Sequence, residues 1–496
     1  MFSASKTAAV SGGYNLTRSL RFRSSASAYL NRTPASASSR TTWTWSGWVK
    51  LGSLSAYDHI FLAYQGSSAS DTNYCRLFIT EQTTGQLQFG GGVTNWLVTN
   101  SVYRDPSAWY HIVIGVDTTQ ATASNRLKLY VNGSQITSFA SATYPAQNAT
   151  LAVNANWGHY IGYDAGSNYF DGYMTEINFV DGQQLTPSSF GQTSSSTGVW
   201  QPKKYTGTYG TNGFYLPFTD NSALTSGSNA GLGKDFSGNG NYWNTNNISI
   251  TSGATYDSMT DVPTLTSATA ANFAVLNPLF SSSAGVFTLS DGNISFSAAS
   301  AATNSFFSRS TFGVSSGKWY WEVTPTNVGG GPNIYIGIQD ATYSPNSGTF
   351  NQAPNAYVYV YDGTKLNNAT SSAYGASYTN NDVIGIALDM DGGTLTFYKN
   401  NVSQGTAYTG LSGSYSPAIG LNVGGASRTI AGSFNAGQRP FTYTPPSGYV
   451  ALNTFNLPTP TIGATSSTQA NKYMDVSLYT GTGSTQSITN VGGFQP

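Results

Sequence analysis

Charge is scarce in this chain. Asp, Glu, Lys and Arg make up 8% of its 496 residues, against about 25% in an ordinary soluble domain. Three glutamates occur, Glu81, Glu176 and Glu322, in three distant segments. Hydrolysis of glycosides needs two carboxyl groups held close together, and no glutamate pair has that spacing. Asp389 and Asp391 are two apart and share a side, but they flank a glycine turn, where aspartate serves the turn itself. There are three histidines, at 59, 111 and 159. His111 alternates with Val113 on one side of an apolar stretch, which predicts a half-buried, hydrogen-bonded ring rather than a base. The single cysteine, Cys75, excludes an intrachain disulfide framework. Nucleophile elbows, phosphate loops and zinc-ligand spacings are missing. The expectation is a protein that is not an enzyme and needs no cofactor.

Positive charge is equally thin. The formal net charge is zero, and Arg18, Arg21, Arg23, Arg32 and Arg40 are spread through strand-like stretches instead of forming a basic face. Phosphate neutralisation wants such a face, so nucleic acid is not an expected partner. No apolar run approaches the ~18 residues needed to cross a bilayer, so a membrane is not expected either. Nor does the first stretch of the chain carry a charged segment followed by an apolar core, so no secretory signal is expected.

What the chain has instead is glycine (55), tyrosine (33) and phenylalanine (25). Strong helix formers are few, and the composition suits short strands and tight turns, an all-β protein. An aromatic fraction of 14% is too high for a disordered chain.

The clearest stretch runs from Asn381 to Asn401. Ile384, Ile386, Leu388 and Met390 alternate with Val383, Gly385, Ala387 and Asp389, the period of a strand with one face in a core. Asp391, Gly392 and Gly393 then form a turn, and Thr394 to Tyr398 returns. Around this hairpin lie Gly317 to Val323 (GKWYWEV), Asn333 to Gln339 (NIYIGIQ) and Tyr415 to Leu421 (YSPAIGL). Together they resemble the SPRY (B30.2-like) domain, a bent β-sandwich, over 272–455. The resemblance implies recognition of partners through loops, not chemistry. Tyr343 and Asn346, in one such loop, are candidate binding residues.

Earlier in the chain, Gly47-Trp48-Val49, Trp109 to Asp117 (WYHIVIGVD), Asn125 to Gly133 (NRLKLYVNG) and Phe170 to Asn178 (FDGYMTEIN) follow in order. Asn132-Gly133 is a strong hairpin signal. This series resembles a laminin-G-like or pentraxin-like domain of the concanavalin-A-like jelly-roll superfamily, over 1–192. The fold class expected is therefore two tandem β-sandwiches. Domains of the laminin-G kind often hold calcium between loops, and Asp58, Asp71, Asp164 and Asp171 are the carboxylates available for it. Glycan recognition uses aromatic platforms flanked by amides and hydroxyls. Trp96, Trp157, Asp164 and Tyr169 sit in stretches of that composition.

Residues 193–271 contain few alternating segments and read as a turn-rich connector, with Phe214 to Phe218 available to join a neighbouring sheet. Residues 456–496 read as an extended tail or the start of a further module, with one or two strands from Tyr479 to Pro496. The order of modules, nearly free of glutamate, resembles structural proteins of tailed bacteriophages. That resemblance implies a virion surface or appendage protein, such as a tail fibre, adhesin or capsid appendage. It would be homo-oligomeric, contact other virion proteins and touch host-surface polysaccharide or a receptor. A purely architectural role, and a carbohydrate-binding accessory of a secreted hydrolase, are the alternatives.

Overall fold

The computed structural model describes residues 14–52, 57–66, 70, 72–80, 84–195, 197–281, 286–300, 305–329, 334–343, 355–422, 427–459, 474 and 480–487. Asp71 and Asn346, named above, lie outside them.

The strand Thr42–Leu51 shows how the first sandwich is built. Trp43, Trp45, Val49 and Leu51 point into one hydrophobic core, while Trp48 on the opposite face belongs to another. Alternation thus persists with both faces buried. This strand is flanked by Trp109–Asp117 on one side and Gly172–Asp181 on the other. The rest of that sheet comprises Leu127–Val131, Ser134–Gln135, Ser19–Phe22, Ser258–Met259 and Phe214–Leu216. The facing sheet runs Phe139–Ala142, Asn95–Val102, Gln86–Gly91, Tyr74–Ile79, Asp58–Tyr64, Gly158–Ile161, Tyr29–Arg32 and Asn244–Asn246. Between them Trp43 packs on Phe89 and Phe179, and Trp45 stacks on Phe61. Asn132 and Gly133 take φ of +48° and +82°, as a two-residue hairpin turn requires.

Residues 193–271 do more than connect. Phe214–Leu216 pairs with Gly172–Asp181, Asn244–Asn246 extends the facing sheet beside Tyr29–Arg32, and Ser258–Met259 pairs with Ser19–Phe22. Phe214 packs on Phe179 and Trp243. Asp235 organises the turn-rich tract, its carboxylate accepting the backbone N–H of Tyr215, Ser237 and Asn241. In the tail, residues 480–487 are exposed and form no strand. The strands expected there are absent from those residues because nothing among the described residues pairs with them.

The second sandwich stacks two further sheets. One runs Leu276–Ser281, Ser305–Ser310, Tyr415–Asn422, Ile334–Asp340, Ala356–Val360, Thr364–Asn367 and Thr370–Ala373. The other runs Phe287–Ser290, Ser295–Ser300, Arg428–Asn435, Lys318–Asn327, Ile384–Asp389, Thr394–Lys399 and Val402–Tyr408. Ile384, Ile386 and Leu388 are buried in the core with Phe397, which packs against Tyr359 and Tyr374. Asp389 accepts the backbone N–H of Gly392 and pairs with Lys318 at 2.8 Å, so this aspartate closes its turn.

The two bodies share a core. Trp48, Trp109, Tyr173 and Met259 of the first pack in the same cluster as Phe273, Trp319 and Phe434 of the second. Inside this seam Lys50 Nζ donates to Asp261 Oδ2 at 2.7 Å, Asn272 Oδ1 at 2.7 Å and the Phe273 carbonyl at 3.0 Å. Trp109 Nε1 donates to the other Asp261 oxygen. Both charged side chains are fully buried. Burial pulls the lysine down and the aspartate up from their ordinary pKa values, each held back by the charge of the other. Nearby, Asp171 accepts the backbone N–H of Asp291 and Gly292 across the seam, both at 2.7 Å.

Two stability measurements follow. Phe397→Ala should cost ~3–5 kcal/mol in denaturant melts, the range for deleting a buried phenylalanine; under about 1 kcal/mol would mean the ring is not in the core. Lys50→Met leaves Asp261 buried without its counter-charge and should cost about 3–5 kcal/mol. Calorimetry of the wild type should show both sandwiches melting in one transition, whereas two transitions with only one moved by Lys50→Met would mean that the seam does not couple them.

Candidate functional site

One sheet of the first sandwich has its back covered by the second sandwich; the facing sheet has an outer side that is half-buried along much of its length. Along that side the ladder aligns Asn95, Gly90, Arg76, Leu62, Tyr160, Asn31 and Asn244 as successive register partners. Paired residues in an antiparallel ladder project to the same face. Their sequence neighbours Cys75, Leu77, Phe89, Trp96 and Ile161 lie in the core, so this row points outward. Asn95, Asn31 and Asn244 bring amides, Tyr160 a ring and Arg76 the one cation, while Gly90 and Leu62 between them are buried.

At one end four tyrosines gather. Tyr163 stacks on Tyr169 with centroids 4.7 Å apart and planes at 11°. Tyr29 lies 4.7 Å from Tyr163, and Tyr160 meets Tyr163 edge-on at 5.6 Å. All four are half-buried. The turn between Tyr163 and Tyr169 is set by Asp164, whose Oδ1 accepts the N–H of Gly166 at 2.7 Å and of Asn168 at 3.0 Å. Burial and the adjoining hydroxyl push Tyr163 up to about 12, so it remains a phenol able to donate. At the other end a depression of about 380 Å³ is lined by Tyr57, Arg76, Phe78, Thr80, Thr84, Gln86, Gln88 and Asn95.

The residues chosen from sequence are scattered by the fold. Trp96 is a correction: it is 2% exposed and packs on Phe89 in the core, because it is the extra residue of a bulge opposite Phe89 and Gly90, where both it and Leu97 turn inward. Trp157 lies at the edge of that core with the Arg40 guanidinium 4.7 Å over its ring. Tyr169 and Asp164 both fall in the tyrosine cluster, the latter as the organiser of its turn. Tyr343 is half-buried against Phe307, and its carbonyl accepts from Arg309. Of the four aspartates considered for calcium, Asp58 and Asp171 meet, but through the Asp171 backbone N–H at 3.1 Å. The Asp171 carboxylate is turned to the seam, and burial pushes it up to about 6. Asp164 is committed to its own turn. Among the described residues no group of three or more His, Cys, Asp or Glu is placed to hold a metal.

The histidines are structural. His111 is buried, its Nε2 bonded to Ser46 Oγ and its Nδ1 accepting from Trp200 Nε1, both at 2.9 Å. Burial drives it down to about 3, and likewise holds His59 and His159 at about 4. Arg76, Tyr29 and Tyr160 were not singled out by sequence. For Arg76 the signal is the alternation Tyr74, Arg76, Phe78 against Cys75, Leu77, Ile79, which puts a charge and two rings on one side of a single strand.

Glu176 occupies a second depression of about 200 Å³, lined also by Tyr14, Arg18, Lys204 and Tyr215. The bulge in Gly172–Asp181 places it at φ +53° and turns it out of the ladder. Its Oε1 accepts from Tyr215 at 2.5 Å and Tyr14 at 3.2 Å. Burial raises this carboxyl from 4.5 to about 7. With the folded value above the unfolded one, its stabilising contribution is complete below pH 4.5 and is lost as pH rises through about 7.

The family comparisons cover two stretches. Residues 24–189 match the concanavalin A-like lectin/glucanases superfamily (Laminin_G_3), and residues 318–437 match the SPRY domain. An ATP-dependent RNA helicase DDX1 of Xenopus laevis is 29% identical over 29% of this chain and 18% of its own length. An E3 ubiquitin-protein ligase RKP of Arabidopsis thaliana is 35% identical over 19% and 7%. Ran-binding protein 9 of Xenopus laevis is 30% identical over 26% and 23%. The chain thus spans less than a quarter of the length of these curated relatives. Among solved structures, the SPRY domain of human HERC1 aligns with 32% of this chain and 96% of its own at 15% identity, TM-score 0.28.

Glu176→Gln offers a check on the second depression. Between pH 5 and 8 the wild type should lose about 3 kcal/mol relative to this variant in denaturant melts; a difference that does not change with pH would return Glu176 to the ordinary carboxylate range. Domains of both matched kinds mediate binding of proteins or carbohydrates. The all-β architecture and the two family matches make this chain a tandem of a concanavalin A-like sandwich and a SPRY sandwich.

Proposed function

We propose that this is a non-enzymatic binding protein whose first sandwich takes a glycan chain across the outer face of its uncovered sheet. The observation that carries the reading is the row from Asn95 through Arg76 and Tyr160 to Asn244, ending in the tyrosine cluster. Rings supply flat apolar surface for sugar faces, and amides and phenols supply the donors and acceptors that hydroxyls need. No carboxylate pair stands in this row to cleave what it binds. The binding requires no metal.

The setting we propose is the surface of a bacteriophage particle, as a tail fibre, adhesin or capsid appendage among other virion proteins, in several copies. Support for that setting is the scarcity of glutamate and the order of the modules; the named relatives are eukaryotic and share a partial SPRY stretch. The SPRY sandwich then serves as a protein-contacting partner body.

A glycan array with the purified chain tests the reading. Binding should appear on a restricted set of polysaccharides, persist in chelator, and weaken about tenfold or more in Tyr160→Ala and Tyr163→Ala. Absence of binding across host polysaccharides would favour a purely architectural role, and antibody labelling of intact particles would decide the location.

A further inference from the structure

The depression beside the strand Tyr74–Ile79 holds polar groups whose bonding capacity is unused. The Arg76 guanidinium lies 4.5 Å from the Phe78 ring centroid and 5.6 Å from that of Tyr74. From Nη2 it donates to Asn95 Oδ1 at 3.3 Å. Its Nε is buried and has no acceptor among the described residues. Gln88, only 8% exposed, stands opposite Phe78 in the ladder, and its Oε1 is also buried with no donor among the described residues. Buried polar atoms left unpaired are costly, and two of them in one hollow mark a place prepared for a ligand.

Among the described residues, the charge of this place comes from Arg76. The six ion pairs among the described residues use Arg21, Arg23, Lys50, Lys234, Lys318 and Lys399, not Arg76. Asp164 approaches through its carbonyl, which accepts from Tyr74 at 3.4 Å, while its carboxylate is held by Gly166 and Asn168. Asp58 accepts from the Asp171 backbone. Arg104 adds an exposed cation beside Gly85, next to Gln86 of the lining.

We propose that Arg76 takes the carboxylate of a uronic acid residue in an acidic polysaccharide. The proposal rests on the glycan reading above and names the group that is recognised. A guanidinium presents parallel N–H donors in one plane, the geometry of a carboxylate. Phe78 holds one face of that plane, and the Gln88 and Asn95 amides flank it for the sugar hydroxyls. A sulfate ester, being tetrahedral, would use the charge of the arginine but not its fork.

The full chain is assayed by biolayer interferometry at about 0.15 M salt against polygalacturonate, dextran sulfate and dextran. Polygalacturonate should bind at least about tenfold more tightly than the other two. Arg76→Gln should abolish that preference. Arg76→Lys should lose about tenfold on polygalacturonate despite keeping its charge, with melting temperature unchanged. Should the glutamine variant fail to fold, the lysine variant decides. Equal binding of dextran and polygalacturonate, or a preference that survives both variants, would overturn the uronate assignment and leave the glycan face standing. Dextran sulfate bound as tightly as polygalacturonate, by wild type and Arg76→Lys alike, would also overturn it, as plain charge attraction. Binding to none of the three, and to nothing on the array, would overturn both readings.

Discussion

The buried pair of Lys50 and Asp261 is the constraint on which the rest of the molecule depends. Two opposite charges taken wholly out of water hold only if every remaining donor and acceptor is satisfied. Here Asn272, the Phe273 carbonyl and Trp109 do so. Lys50 and Trp109 belong to the first sandwich, Asp261 to the segment after it, and Asn272 and Phe273 to the entry to the second. The pair therefore requires all three to be folded against one another. Trp48, Tyr173 and Met259 surround it with apolar surface continuous with the second core.

That seam decides where binding can happen. A sandwich has two outer faces, and in the first body one of them is taken. Its central strand Thr42–Leu51 is buried on both sides, and Val113, Tyr130, Val180 and Phe190 are covered further along by Tyr205 and Tyr209. The opposite sheet keeps its outer row of amides and rings. Segment 193–271 adds Asn244–Asn246 at the edge of that row, next to Tyr29–Arg32. The same segment thus closes the seam on one side and widens the candidate site on the other.

Two buried carboxyl groups, Asp171 and Glu176, lie close together in sequence and do different work. Asp171 ties the seam by accepting two backbone N–H groups of the second body. Glu176 sits five residues on, past the turn at Gly172 and in the bulge of the following strand, where two tyrosine hydroxyls hold it. The charge-poor composition makes such groups conspicuous: with few ionisable side chains available, several of them are buried in positions that order the chain.

Much of the fold was legible because strand patterning is local. The alternation at Ile384, Ile386 and Leu388, the Asn132-Gly133 turn and the apolar run after Trp109 each carry their own signal within a few residues. His111 was likewise readable as a satisfied core ring. The tryptophans were not. Trp96 stands among Asn, Thr and Gly, as an exposed ring would, yet it is core. Its direction is set by the bulge it forms against Gln86–Gly91, and a bulge re-aims a side chain in a way that only the partner strand decides. Arg76 and Tyr160 were hidden for the same reason. They are 84 positions apart in sequence, and only the pairing of both strands with Asp58–Tyr64 brings them into one row. Local chemistry by itself determined an all-β tandem of two sandwiches. Long-range pairing alone decided which sheet was covered, which was left to solvent, and which side chains met there, because register is set by partners that no short stretch of sequence contains.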